Sequence, residues 1–160
     1  MLPGSFKLGT VTRVTDPCFS RDISNHLLRT KPGVWWGAIL AQNWSVWELL
    51  AWHVTAGSLH EAQSARRRAL FPVDVDEGMA GIFADASYPE GQTGVSTFYG
   101  RAVDATCGPL SAGIIKEGVV SASGCGDGTY DCFFETEDGK ADGKVTAIRI
   151  VFLPLPKEEY

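Results

Sequence analysis

Apolar and polar positions alternate along most of this chain, and the alternation predicts short β-strands. Phe6 to Thr15 (FKLGTVTRVT) is β-branched with one apolar face, and Asp16-Pro17-Cys18 ends it as a tight turn, since proline cannot donate to a ladder. Phe19 to Pro32 is polar and irregular and reads as a loop, with at most a short helical turn over Asn25 to Arg29. Val34 to Gln42 and Val46 to Thr55 read as strands joined by a hairpin turn at Asn43-Trp44-Ser45. The second of these also has some helical character, but Trp35, Trp36, Trp44, Trp47 and Trp52 favour strands, where large flat side chains pair across a pleated surface. Ser58 to Leu70 is the helix candidate, with Ser58 as N-cap, Glu61 three residues later and arginines toward the C-terminal end.

The second half reads as strands over Val73–Asp85, Val95–Val103, Ile114–Ser123, Thr129–Glu135 and Val145–Leu153. The last two are joined by a hairpin at Glu137 to Gly143, whose Asp138 to Gly143 stretch lacks the ligand pattern of a calcium loop. About seven to nine short strands with one short helix specify a mainly β fold, antiparallel, either a two-sheet sandwich or a partly open barrel. The expected extent is a single domain over 1–160, with a frayed tail over 154–160.

Composition narrows the function classes. Hydrophobic residues make up 44% and charged residues 21%, enough apolar material for a folded core. The net charge is −5, and the only basic cluster, Arg66-Arg67-Arg68, reads as a solvated helix end, with contact to a phosphate or an acidic partner as the alternative. Sequence-independent nucleic-acid binding is therefore disfavoured. No apolar run reaches the roughly 18 to 20 residues that a membrane span needs, and no signal-peptide pattern opens the chain, so the expected location is the cytoplasm. Cys18, Cys107, Cys125 and Cys132 form no C-x-x-C pair and read as reduced thiols; a zinc site or a catalytic thiol beside His53 is the alternative.

Candidate chemistry concentrates in Ser121 to Asp131 (SASGCGDGTYD), where Gly124, Gly126 and Gly128 interrupt two strands. Closely spaced glycines leave amide N–H groups uncovered and can cradle an anion, while Asp127 and Asp131 offer carboxylates to a hard cation, calcium or magnesium. The alternative is a tight turn whose Asp bonds its own backbone. Asp74 and Asp76 would point to one face of an extended strand about 6.6 Å apart, placed either to share a cation or to form a solvated face. His53, in an apolar strand, is a candidate base or a hydrogen-bonded core residue.

Three segments together resemble the DUF4241-like group of small bacterial and phage proteins. They are Val14 to Phe19 (VTDPCF), Val75 to Phe83 (VDEGMAGIF), and Ser123 to Tyr130 (SGCGDGTY) followed by Val145 to Phe152. That group carries a DPCY-type start, a VDxGxxGIF segment and an SGxGDGxY hairpin closing on an I-x-F strand. Phe19 departs from its usual Tyr, Asp131-Cys132 from a common Pro-Val pair, and Trp35 to His53 matches no motif. The group has no assigned activity, so the resemblance implies a fold and a shared pocket around Asp16, Asp76 and Asp127. The expected ligand-binding residues are Gly124, Gly126, Asp127, Gly128, Tyr130 and Asp16; the expected metal ligands are Asp76, Asp127 and Asp131. The favoured function is a binding protein for a protein partner or a small anionic ligand, with a role in phage–host conflict suggested by the resemblance alone. The alternatives are a divalent-cation-dependent hydrolase with His53 as base and a structural or assembly protein that forms a homo-oligomer.

Overall fold

A computed structural model describes residues 1–23, 26–57 and 69–153, with the backbone alone over 69–71 and 91–96. Among the described residues, eleven strands form two antiparallel sheets. The six-stranded sheet runs, in spatial order, β1 (Phe6–Leu8), β4 (Gly33–Gln42), β5 (Ser45–His53), β11 (Val145–Val151), β10 (Gly128–Thr136) and β6 (Ala69–Val75). The five-stranded sheet runs β3 (Leu27–Arg29), β2 (Val11–Thr15), β7 (Met79–Ala84), β9 (Gly118–Ala122) and β8 (Ala112–Ile115). The mainly β, antiparallel two-sheet reading is what the structure shows.

The sheets meet across a core built from alternate residues of both. Trp35, Leu49, Ala51, Val73, Cys132, Ile148 and Ile150 from the larger sheet pack against Val14, Ala80, Ile82 and Val119 from the smaller one. The opposite face of the larger sheet is also apolar: Trp36 lies directly across from Trp52, beside buried Ala38, Leu50 and Ala147. The cross-strand tryptophan pairing expected from the sequence is thus present at this one pair.

Three expected strands each divide in two. Phe6 to Thr15 breaks at Gly9-Thr10 and supplies β1 to one sheet and β2 to the other. Val73 to Asp85 breaks at Asp76-Glu77-Gly78, where the chain crosses from β6 to β7 and Gly78 takes a left-handed φ of 67°. Ile114 to Ser123 folds on itself as the β8–β9 hairpin. A run of ten or more residues exceeds the usual strand of about five to six, and a sandwich accommodates it by changing sheets or direction. Leu27–Arg29, expected as loop or helical turn, pairs with β2 as a short edge strand.

Helix α1 (Gly91–Thr106) replaces the strand expected over Val95–Val103. Phe98 and Ala102, four apart, are buried, and both pack with Met79, Phe83, Tyr88 and Val120 on the outer face of the five-stranded sheet. The spacing of three and four from Phe98 to Ala102 and Ala105 outweighs the β-branched residues that suggest a strand. No described helix is long and apolar enough to cross a membrane. The helix expected over 58–70 and the Arg66–Arg68 cluster lie outside the described residues, apart from Ala69 and Leu70, which open β6; the tail over 154–160 lies outside them too.

Candidate functional site

At one end of the sandwich the sheet crossing 76–78 meets two carboxylates. Asp16, at the end of β2, is fully buried. Its Oδ1 accepts the Cys18 N–H at 2.9 Å, and its Oδ2 accepts the N–H groups of Asp76 at 2.9 Å and Glu77 at 2.8 Å. From the other side Asp127 Oδ1 accepts the Gly78 N–H at 3.1 Å, and the Ser123 N–H donates to the Gly78 carbonyl at 2.9 Å. Asp16 and Asp127 therefore both reach the turn that contains Asp76, which enters through its backbone N–H. What they enclose is the protein's own turn: a buried carboxylate satisfies backbone donors that the change of sheet leaves without ladder partners.

The glycine loop is likewise bound to itself. Ser123 Oγ and the Tyr130 hydroxyl both donate to the Gly126 carbonyl, at 2.6 and 2.7 Å. Tyr130 is buried edge-on against Phe152, so it shapes the loop from beneath. A Cβ on Gly124, whose φ is 68°, would lie 2.1 Å from the Val46 carbonyl oxygen, whereas one on Gly126 at φ 80° would meet nothing within 4 Å. Gly124→Ala should therefore lose several kcal/mol of stability, while Gly126→Ala loses about 1 kcal/mol, the ordinary cost of a left-handed alanine. Chemical denaturation of the two variants measures the difference.

As a set of cation ligands, Asp76, Asp127 and Asp131 do not fit. Asp131 lies inside β10 on its solvent side, alternating with buried Tyr130 and Cys132, and Asp127 is engaged with Gly78. Among the described residues no group of three or more His, Cys, Asp or Glu side chains is placed to hold a metal. Asp74 is bonded by the hydroxyl of its cross-strand neighbour Thr129 at 3.0 Å.

His53 has no free edge for proton transfer. The Thr55 N–H donates to Nδ1 at 3.1 Å, the Thr55 hydroxyl lies 2.8 Å from Nδ1, and Nε2 faces the Pro32 carbonyl at 3.1 Å. An Nε2-protonated, neutral imidazole satisfies all three contacts. The ring stands edge-on to Trp35, and it is the hydrogen-bonded core histidine of the two readings. Cys18 is half-buried, Cys132 fully buried and Cys107 and Cys125 exposed, all as free thiols. Burial, then the hydrogen bond and charge of Asp16, then Glu77 and Asp76, push the Cys18 thiol up. Burial followed by Glu77 and Asp16 does the same for Tyr99, and burial also raises Tyr130, with Cys125 and Asp127 adding to it. A Cys18 thiol raised in this way is not an activated nucleophile.

At the same end of the sandwich lies the β4–β5 hairpin turn. Gln42 pairs with Ser45, leaving Asn43 and Trp44 as a two-residue hairpin loop, and their φ values of 52° and 65° mark a type I′ turn. Such turns favour Asn-Gly; here a tryptophan occupies the second position and stands wholly in solvent, with relative exposure 103%. A groove of about 210 Å³ runs beneath it, lined by Ile39, Val46, Pro109 and exposed Leu110 among others. Trp35 and Trp52, by contrast, are core. Trp44 is legible from sequence as a turn residue, but the Pro109–Leu110 turn that lines the same groove is distant in the chain and leaves no local sign.

Gly124 against Val46, Ala122 on Ser111 and Asp127 on Gly78 join these loops into one rim, running from Leu110 and Trp44 through the glycine loop to Asp76 and Glu77. No family model, no curated protein and no solved structure matches this chain, so the resemblance to the DUF4241-like group rests on the motif residues alone.

Proposed function

We propose that this chain is a binding protein that recognises a protein partner through the loop end of its sandwich, with Trp44 as the anchor. The observation that carries the reading is a fully exposed tryptophan held at left-handed φ in a two-residue hairpin turn. Such a residue lowers stability by about 1–2 kcal/mol relative to glycine and exposes a large apolar surface, two costs that folding alone does not repay. Tryptophan supplies much contact area with few rotatable bonds, which is why it dominates binding hot spots. The groove under it offers a partner side chain an apolar seat. An anionic ligand fits this end less well, because the carboxylates of Asp76, Glu77 and Asp127 flank the glycine loop and would repel it.

Trp44→Gly should leave the melting temperature unchanged or raise it, since glycine relieves the backbone, while removing binding. A photo-crosslinking residue at position 44 should capture a protein in cells that the same residue at Lys116, on the opposite β8–β9 turn, does not. The captured protein, once purified, should bind Trp44→Gly roughly 30-fold or more weakly. Identical crosslinks from both positions would overturn the reading.

A further inference from the structure

We infer that the partner segment seated on this rim is basic: an extended stretch of protein bearing lysine or arginine. This rests on the docking surface proposed above and specifies its chemistry. Among the described residues, the loops 42–46, 76–78, 107–111 and 123–129 of this rim contain Asp76, Glu77 and Asp127 and no lysine or arginine. Asp16 adds a carboxylate buried beneath the same turn. The turns at the other end of the sheets mix both signs, with Lys116 beside Glu117, and Lys140 and Lys144 beside Glu137 and Asp138.

The two halves of the rim suit the two parts of a long cationic side chain. The face of an exposed indole attracts an ammonium or guanidinium group, and the groove by Ile39 and Leu110 accepts the methylene stem. The side chains of Asp76 and Glu77 are exposed, and the backbone holds them in place because Asp16 fixes both of their N–H groups. Carboxylates at a rim steer an oppositely charged partner and make its affinity fall with salt. An acidic partner would meet the same groups as repulsion.

Fluorescence anisotropy with three peptides of equal length, in which Lys, Gln or Glu alternates with Ala, tests this on the whole protein. The lysine peptide should bind, more weakly as salt rises, and the glutamate peptide should not. Trp44→Gly should weaken lysine-peptide binding by roughly 30-fold, and Asp76→Asn with Glu77→Gln by roughly five- to tenfold at low salt, with a flatter salt dependence. Both variants alter exposed side chains, and unchanged unfolding midpoints verify that they fold. Equal binding of the Gln or Glu peptide, indifference of the lysine peptide to either variant, or no lysine-peptide binding at millimolar concentration overturns the inference. The docking surface stands or falls separately: a partner crosslinked specifically at position 44 whose affinity ignores salt keeps the surface and removes the basic occupant.

Discussion

Asp16→Ala is expected to lower the unfolding free energy by about 3–5 kcal/mol. The carboxylate is fully buried and receives three backbone N–H groups, from Cys18, Asp76 and Glu77. Alanine removes a charged acceptor and leaves those donors to find water or remain unpaired, at the very point where the chain passes from one sheet to the other. Asp16→Asn keeps one carbonyl oxygen and should lose less, about 1–2 kcal/mol. Asp127→Ala releases only the Gly78 N–H at an exposed site and should cost about 1 kcal/mol. Urea unfolding of the three variants gives the order directly. A midpoint for Asp16→Ala within error of wild type would show that the turn does not depend on this carboxylate and would return Asp16 to consideration as a ligand.

Removing one member of the buried Glu48–Arg149 pair is expected to cost a comparable 3–5 kcal/mol or so, and replacing both should restore most of it. Arg149 donates from Nε to Glu48 Oε2 at 2.8 Å and from Nη2 to Oε1, and its guanidinium lies 5.9 Å from the centre of the Phe133 ring. Glu48 is fully buried and Arg149 nearly so, on the face of the larger sheet that also carries Leu50, Trp52 and Trp36. Glu48→Leu or Arg149→Met alone strands a charge in that apolar setting, whereas the double variant leaves aliphatic side chains of similar volume among aliphatic neighbours. A double-mutant cycle by chemical denaturation measures the coupling, and additive losses would show that the two charges are solvated independently.

These two devices explain why the acidic residues of this chain are hard to read from sequence. A buried carboxylate and a ligand carboxylate have the same one-letter code, and what separates them is which donors the fold brings within 3 Å. Glycines and turn residues mark places where a chain bends sharply and leaves N–H groups to be satisfied, and Asp16 and Asp127 both accept from such N–H groups over 76–78. The identity of the donors was not local: Asp16 and Asp76 are sixty residues apart. His53 shows the same limit, because its two partners, Pro32 and Thr55, come from either side of the β4–β5 hairpin.

Local patterning determined the class of this protein. Period-two alternation, β-branched runs and Asn or Asp-Gly punctuation specify antiparallel strands and hairpins, and residues such as Asn43-Trp44 and Glu137 to Gly143 place two of the hairpin turns close to where they form. Only the tertiary structure decided the rest. Whether a ten-residue apolar run stays one strand or divides between sheets depends on how far the opposing layer extends, and Gly9 and Gly78 give no local sign of that distance. The helix at Gly91–Thr106 owes its place to the apolar outer face of Met79, Phe83 and Val120, which requires a cover that a further strand would not supply. Of five tryptophans, alternation predicts which share a face, but burial depends on what packs against that face: Trp35 and Trp52 are covered, and Trp44, at the apex of a turn, stays exposed.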